Sequence, residues 1–160
     1  MPDSKRLKIL KSLTTLIEEI VDFDLEGKVW RGRNRVGDES QVPYIIISEQ
    51  PPEQDQRVGL DQAKMDWLIG IHGFIEGDEI HPSDTAHDLM AAVKSKLYEV
   101  VDDGGGRGSP GVNYMLNGLI TDLSHDGGMV FLPAETTKSC IFGLKLTLTL
   151  SETLENLYED

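Results

Sequence analysis

Residues 63–75 read "AKMDWLIGIHGFI", and their alternation decides the fold class. Ala63, Met65, Trp67, Ile69, Ile71, Gly73 and Ile75 fall on one face of an extended chain, and Lys64, Asp66, Leu68, Gly70, His72 and Phe74 on the other, because successive side chains of a strand point to opposite sides. The first face predicts a long strand with one firmly buried side. The second is apolar only at Leu68 and Phe74, which predicts partial cover there.

On the C-terminal side, "EGDE" ends the strand and "HPSDTAHDLMAAVKSKLYEVV" opens a helix, with Pro82 near the first turn and Ser83 or Asp84 as cap or first-turn acid. Ala86, Leu89, Met90, Val93, Leu97 and Val100 form its apolar stripe. On the N-terminal side, "EQPPEQDQRVGLDQ" is polar and carries prolines, so an exposed loop is expected near 50–62. "VPYIIIS" (42–48) before it has the continuous apolar run of a strand buried on both faces, with Pro43 at its entrance, and "KVWRG" (28–32) has strand character as well. An amphipathic helix is predicted from about residue 4 to 22, with Leu7, Leu10, Leu13, Ile17, Ile20 and Val21 inward and Asp3 or Ser4 as cap.

Beyond the second helix, "DDGGGRGSPG" (102–111) reads as a flexible surface loop. "GLITDLSHDGGMVF" (118–131) reads as a strand, a turn at Asp126, Gly127 and Gly128, and a short return strand. In "KSCIFGLKLTLTLS" Leu144, Leu146, Leu148 and Leu150 alternate with Lys145, Thr147 and Thr149 as in a half-buried strand, and an acidic tail, 152–160, follows. The order predicts one α+β domain: a mostly antiparallel sheet of about four to five strands, two helices packed on one face, and a β-hairpin. Trp30, Tyr44 and Phe74 could then lie on the uncovered face, where exposed aromatics mark a contact surface.

The 28 acids against 15 bases, net −13, argue against a general nucleic-acid binder. The charge is lopsided: residues 1–35 hold eight bases and six acids, residues 36–160 seven bases and 22 acids. Such polarity can steer one copy toward another, or it can serve solubility alone. Met1 to Lys11 does not resemble a signal peptide and no apolar run reaches a membrane span, so a soluble product without membrane association is expected. Cys140 is the sole cysteine, which excludes an internal disulfide or a multi-thiolate metal site and suits a reducing cytoplasm.

Catalytic patterns are weak. Gly106, Gly108 and Gly111 spell GxGxxG, but they follow a helix rather than a strand and include Pro110. No P-loop pattern is present. Asp84, His87 and Asp88 have a spacing that can chelate a metal, yet capping and first-turn placement explain Asp84 more simply. Cys140 sits in an apolar strand run, where an inert thiol is the common state. Neither catalysis, a cofactor nor a metal is expected.

The layout of the N-terminal helix, "VWRGR", "VPYIIIS", "DWLIGIHGFI", "SDTAHDLMAAVKSKL", "GLITDLSHDGG" and "FGLKLTLTLS" resembles the tail terminator proteins of long-tailed bacteriophages. The long 49–62 segment, the glycine-rich insertion and the acidic tail depart from that pattern. What the resemblance implies is a small protomer that forms a hexameric ring on the head-proximal end of the tail tube. The ring would end tube polymerisation, present a surface to the neck or head-completion connector protein, and let DNA pass through its lumen. The implied partners are further copies of the chain, the tail tube protein and that connector.

"VWRGRNRVG" (29–37) then gains interest, since Arg31, Arg33 and Arg35 alternate behind Lys28 and beside Trp30. They read as a solvated strand end, where each exposed ion pair is worth only ~0–1 kcal/mol, or as an interface. In the interface they would meet carboxylates of a neighbouring protomer such as Asp38, Glu39, Asp78 or Glu79, or of the tube below. Contact with passing DNA ranks third, because strong phosphate binding would hinder transit.

Overall fold

The computed structural model describes residues 2–32, 42–50, 54–57, 62–105, 111–132, 139–153 and 157. Its centre is a pair of 15-residue antiparallel strands, β4 (Gln62–Glu76) and β7 (Ser139–Thr153), in register from Gln62 opposite Thr153 to Glu76 opposite Ser139. The alternation that runs through both sequences puts Met65, Trp67, Ile69 and Ile71 beside Leu144, Leu146, Leu148 and Leu150 on one face, all fully buried or nearly so. Burying one such side chain is worth about 1.5–3 kcal/mol, so this double row anchors the fold.

Beside β4 lies β2 (Tyr44–Glu49), antiparallel to it, and β1 (Val29–Arg31) pairs parallel with β2 at the edge. The apolar run of β2 is explained by burial on both sides: Ile45 and Ile47 enter the main core, Tyr44 and Ile46 a second cluster on the far face. A further strand, β3 (Gln54–Arg57), pairs with the first part of β4. The segment expected to be an exposed loop therefore contains a strand, because backbone pairing along β4 needs no apolar side chains; 51–53 and 58–61 lie outside the described residues.

Helix α1 (Lys5–Glu18) starts at Ser4, whose Oγ accepts the N–H of Leu7 at 3.3 Å. It stops earlier than its apolar spacing suggests. Glu18 and Glu19 stand at its negative end with no base in the last turn, which opposes continuation; Ile20 is still buried, but Val21 is 91% exposed. Helix α2 (Asp84–Val101) buries the six predicted residues Ala86, Leu89, Met90, Val93, Leu97 and Val100. Asp84 supplies the first-turn acid, while the Ser83 side chain makes no capping bond. Both helices contribute to the one core that covers the β4–β7 leucine face.

Strands β5 (Asp122–His125) and β6 (Met129–Phe131) both pair antiparallel with β7. The hairpin expected within 118–131 is therefore absent there: the chain does not reverse at Asp126–Gly128 but continues along the same edge. Between the pairs His125–Leu146 and Met129–Gly143 it takes four steps against three in β7, which is a bulge. Gly127 and Gly128, at φ +89° and +77°, supply its left-handed backbone. Asp126 fastens it, with Oδ1 accepting the N–H groups of Gly128 and Lys145 and its own N–H reaching the Lys145 carbonyl. The acidic tail is also shorter than expected. Glu152 and Thr153 belong to β7, and Glu152 is buried.

Candidate functional site

The sheet has a covered face and a far face. On the far face Trp30, Tyr44 and Phe74 stack in succession, with centroids 5.1 and 4.7 Å apart. Ile46 and Ile141 complete the cluster, which includes no helix residue. The sequence placed these aromatics on the correct side, but as an exposed contact surface they are corrected: Tyr44 and Phe74 are buried and Trp30 half-buried. Each ring is shielded by its neighbours in adjacent strands, which is how cross-strand aromatics pack. Trp30 also donates its Nε1–H to the Gly27 carbonyl at 3.2 Å.

Exposed apolar groups lie instead at the opposite edge, where Met129 (65%), Phe131 (41%) and Leu132 (55%) stand open. Gly143 separates Phe131 from His72, so that the floor between the two rings is bare backbone. Three-residue β6 gave no periodicity to reveal this patch. Elsewhere on the far face Leu68 is half-buried, Lys64, Asp66 and Lys145 are exposed, and Thr149 donates to Asp66 at 2.8 Å. Half-buried His72 has its pKa lowered by desolvation, which favours the neutral ring.

The basic row is only partly legible. Lys28 is half-buried, 3.7 Å from Asp24, and Arg31 is exposed at the end of β1. Gly32 follows at φ +65°, a left-handed conformation that glycine adopts without strain. Arg33, Arg35, Asp38 and Glu39 lie outside the described residues. Asp78 and Glu79 are exposed just past β4. The Asp78 carboxylate accepts the N–H of His81 at 2.8 Å and of Ile80 at 3.0 Å, bonds that hold its pKa below the usual carboxylate value. Arg31 aligns with Ile47 and Ile71, in mid-sheet, so one protomer does not bring it to Asp78 or Glu79.

A second basic feature was visible in the sequence only as part of the charge count. Lys5, Arg6, Lys8 and Lys11 crowd the start of α1, at the Thr153 end of the long strand pair. Lys5 Nζ donates to the Ser151 carbonyl at 2.7 Å, and Arg6 pairs with Glu152 at 2.9 Å while its guanidinium lies 5.6 Å from the Trp67 ring centre. Beyond them, Lys8 and Lys11 line a cleft of about 340 Å³ against Leu116, Asn117 and Leu119. Its wall is a turn, Met115–Gly118, in which all four residues are left-handed (φ +50°, +51°, +60° and +84°).

Among the described residues, Cys140 and His125 lie apart, each with its own local partner. Cys140 is buried, 3.4 Å from the Thr85 hydroxyl, which itself bonds the Glu76 carbonyl. His125 Nδ1 accepts the Gly127 N–H. Among the described residues no group of three or more His, Cys, Asp or Glu side chains is placed to hold a metal ion, and no helix is long and apolar enough to cross a membrane. No known protein family and no curated protein matches the sequence.

Proposed function

We propose that this chain is a structural subunit that closes, with further copies of itself, into a ring on the head-proximal end of a phage tail tube. There it ends tube polymerisation and offers a surface to the neck or head-completion connector. The observation that carries the proposal is the asymmetry of the sheet. Both long helices cover one face, while the other carries its own aromatic cluster and an open Met129–Phe131–Leu132 edge. A ring subunit needs two unlike sides and surfaces that meet unlike surfaces on the next copy. The order of elements that resembles tail terminators supports the same reading, as does the separation of basic and acidic segments along the chain.

The proposed work is done by surface shape and polarity, with no bond made or broken. It assigns Lys28, Trp30 and Arg31 to an assembly edge, with DNA passing through the lumen without being held. The decisive experiment is electron microscopy of assembled tails carrying a labelled chain. A ring between the last tube layer and the connector is expected; label within the head connector instead would make the protein a different neck component, and absence from the particle would end the proposal.

A further inference from the structure

We propose that the cleft beside the first half of α1 receives the acidic turn Asp78, Glu79 and Ile80 of a second copy, joining copies head to tail. The inference rests on the reading that copies of this chain associate, and it names the two surfaces that do so.

The receiving side is built from charge and shape together. Between Lys5 and Lys11, α1 carries four cations, and no carboxylate appears on the helix before Glu18. Lys5 and Arg6 are engaged with Ser151 and Glu152. Lys8 and Lys11, each with a partner of its own within the protomer, face the cleft, which Asp3, Ser12, Leu116, Asn117 and Leu119 also line. Past Lys11 and Ser12 lies a second hollow of about 270 Å³ that reaches Thr15 and Asn113 and ends at a carboxylate, Glu19, so the attraction for an acidic turn is confined to the Lys8–Lys11 end. A carboxylate already sits at the rim of that end: Asp3 meets Lys11 at 2.7 Å, with the two side chains 34% and 51% exposed. Exposed pairs of this kind exchange partners readily, so Lys11 is chemically suited to a carboxylate from another copy.

The entering side is preformed. The bonds from Ile80 and His81 to Asp78 fix the turn and leave Ile80 80% exposed, with Glu79 beside it. Glu76 and Asp84 flank it, both exposed, and deepen the negative field. An apolar tip between carboxylates complements a cleft with lysines at its rim and leucines in its wall. The two surfaces cannot meet within one protomer. The turn follows Glu76, whereas α1 starts beside Ser151 and Glu152, which pair with Lys64 and Ala63. The strand between them is on the order of 45 Å long at about 3.3 Å per residue. A contact between opposite ends of identical chains is heterologous, and it closes into a ring when the rotation per copy divides a full turn.

The test uses the full chain in two variants, one with a reversed cleft (Lys8→Glu with Lys11→Glu) and one with a neutralised turn (Glu79→Gln with Ile80→Ser). Near-ultraviolet circular dichroism checks that each remains folded. Sedimentation at low salt should show wild-type protein growing beyond the dimer with concentration, and each variant losing association by about tenfold or more. Mixed together, the variants keep one good contact and should give one-to-one pairs and nothing larger. Monomeric wild type at high concentration, variants that assemble like wild type, or variants that lose association yet form no pair on mixing would each overturn the proposal. A tube-capping ring seen in tails made with both variants would overturn it while leaving the ring itself standing. A chain absent from tails, yet showing the mixing behaviour, would do the reverse.

Discussion

Gly73 of β4 and Phe142 of β7 are direct partners across the central strand pair, and the phenyl ring fills the space in which a side chain on residue 73 would begin. A Cβ there would lie 2.0 Å from the Phe142 Cε1 atom, inside any tolerable contact. Gly73→Ala should therefore destabilise the protein by about 1–3 kcal/mol, the usual cost of overpacking a core, seen as a lower urea midpoint. Adding Phe142→Leu should return part of the loss; an unchanged midpoint in the single variant would show that the ring moves aside freely.

Arg6 and Glu152 form the one ion pair in which a buried charged residue takes part among the described residues. The partners are unequal, with side chains 38% and 9% exposed. Arg6→Met strands a buried carboxylate and removes the cation over Trp67, so it should cost about 2 kcal/mol. Glu152→Leu leaves only a solvated guanidinium and should cost less than about 1 kcal/mol. The double variant should lie close to Glu152→Leu. Chemical denaturation of all four proteins measures the cycle, and simple additivity would contradict the coupling.

How much of this was legible in advance depended on whether neighbours or distant partners set the outcome. The α2 stripe and the alternation of Ala63–Ile75 follow from local spacing and were readable residue by residue. The strand at Gln54–Arg57 has no apolar pattern, because its partner β4 supplies the reason for its existence. The Asp-Gly-Gly at 126–128 has the composition of a hairpin turn, yet bonding of Asp126 to Lys145 makes it a bulge. For the candidate site, the acidic turn at Asp78 and Glu79 was singled out, but its proposed counterpart at Lys8 and Lys11 was not. A helix face becomes a cleft only when Leu116 and Leu119 arrive from a hundred residues away in the chain.

The left-handed turn at Met115–Gly118 predicts opposite responses at adjacent positions. Gly118 has φ +84° and open space around its missing side chain, so Gly118→Ala should lose about 1 kcal/mol from backbone strain alone. Asn117, at φ +60°, already uses a strained conformation, and Asn117→Gly should be neutral or slightly stabilising. Thermal melts of the two variants decide; a neutral Gly118→Ala would mean that the turn can readily take another conformation.

His72 sets a pH limit distinct from that of the carboxylates. Its imidazole is half-buried on the far face between Gly70 and Gly143, and desolvation lowers its pKa from the ordinary value of about 6.5. The unfolded chain therefore takes up a proton at this site more readily than the folded one. Stability from the neutral ring is complete above about pH 6.5 and falls as the pH drops from there toward the lowered folded value, below which no more is lost. Asp3 and Asp78 also have depressed values, so their contribution fades only in stronger acid, below the ordinary carboxylate value of 3.8. Urea midpoints compared at pH 7.5, 5.5 and 4.5 should decline for wild type between the first two, and less so for His72→Gln. Equal declines in the two proteins would place the acid sensitivity at another histidine and count against burial of this one.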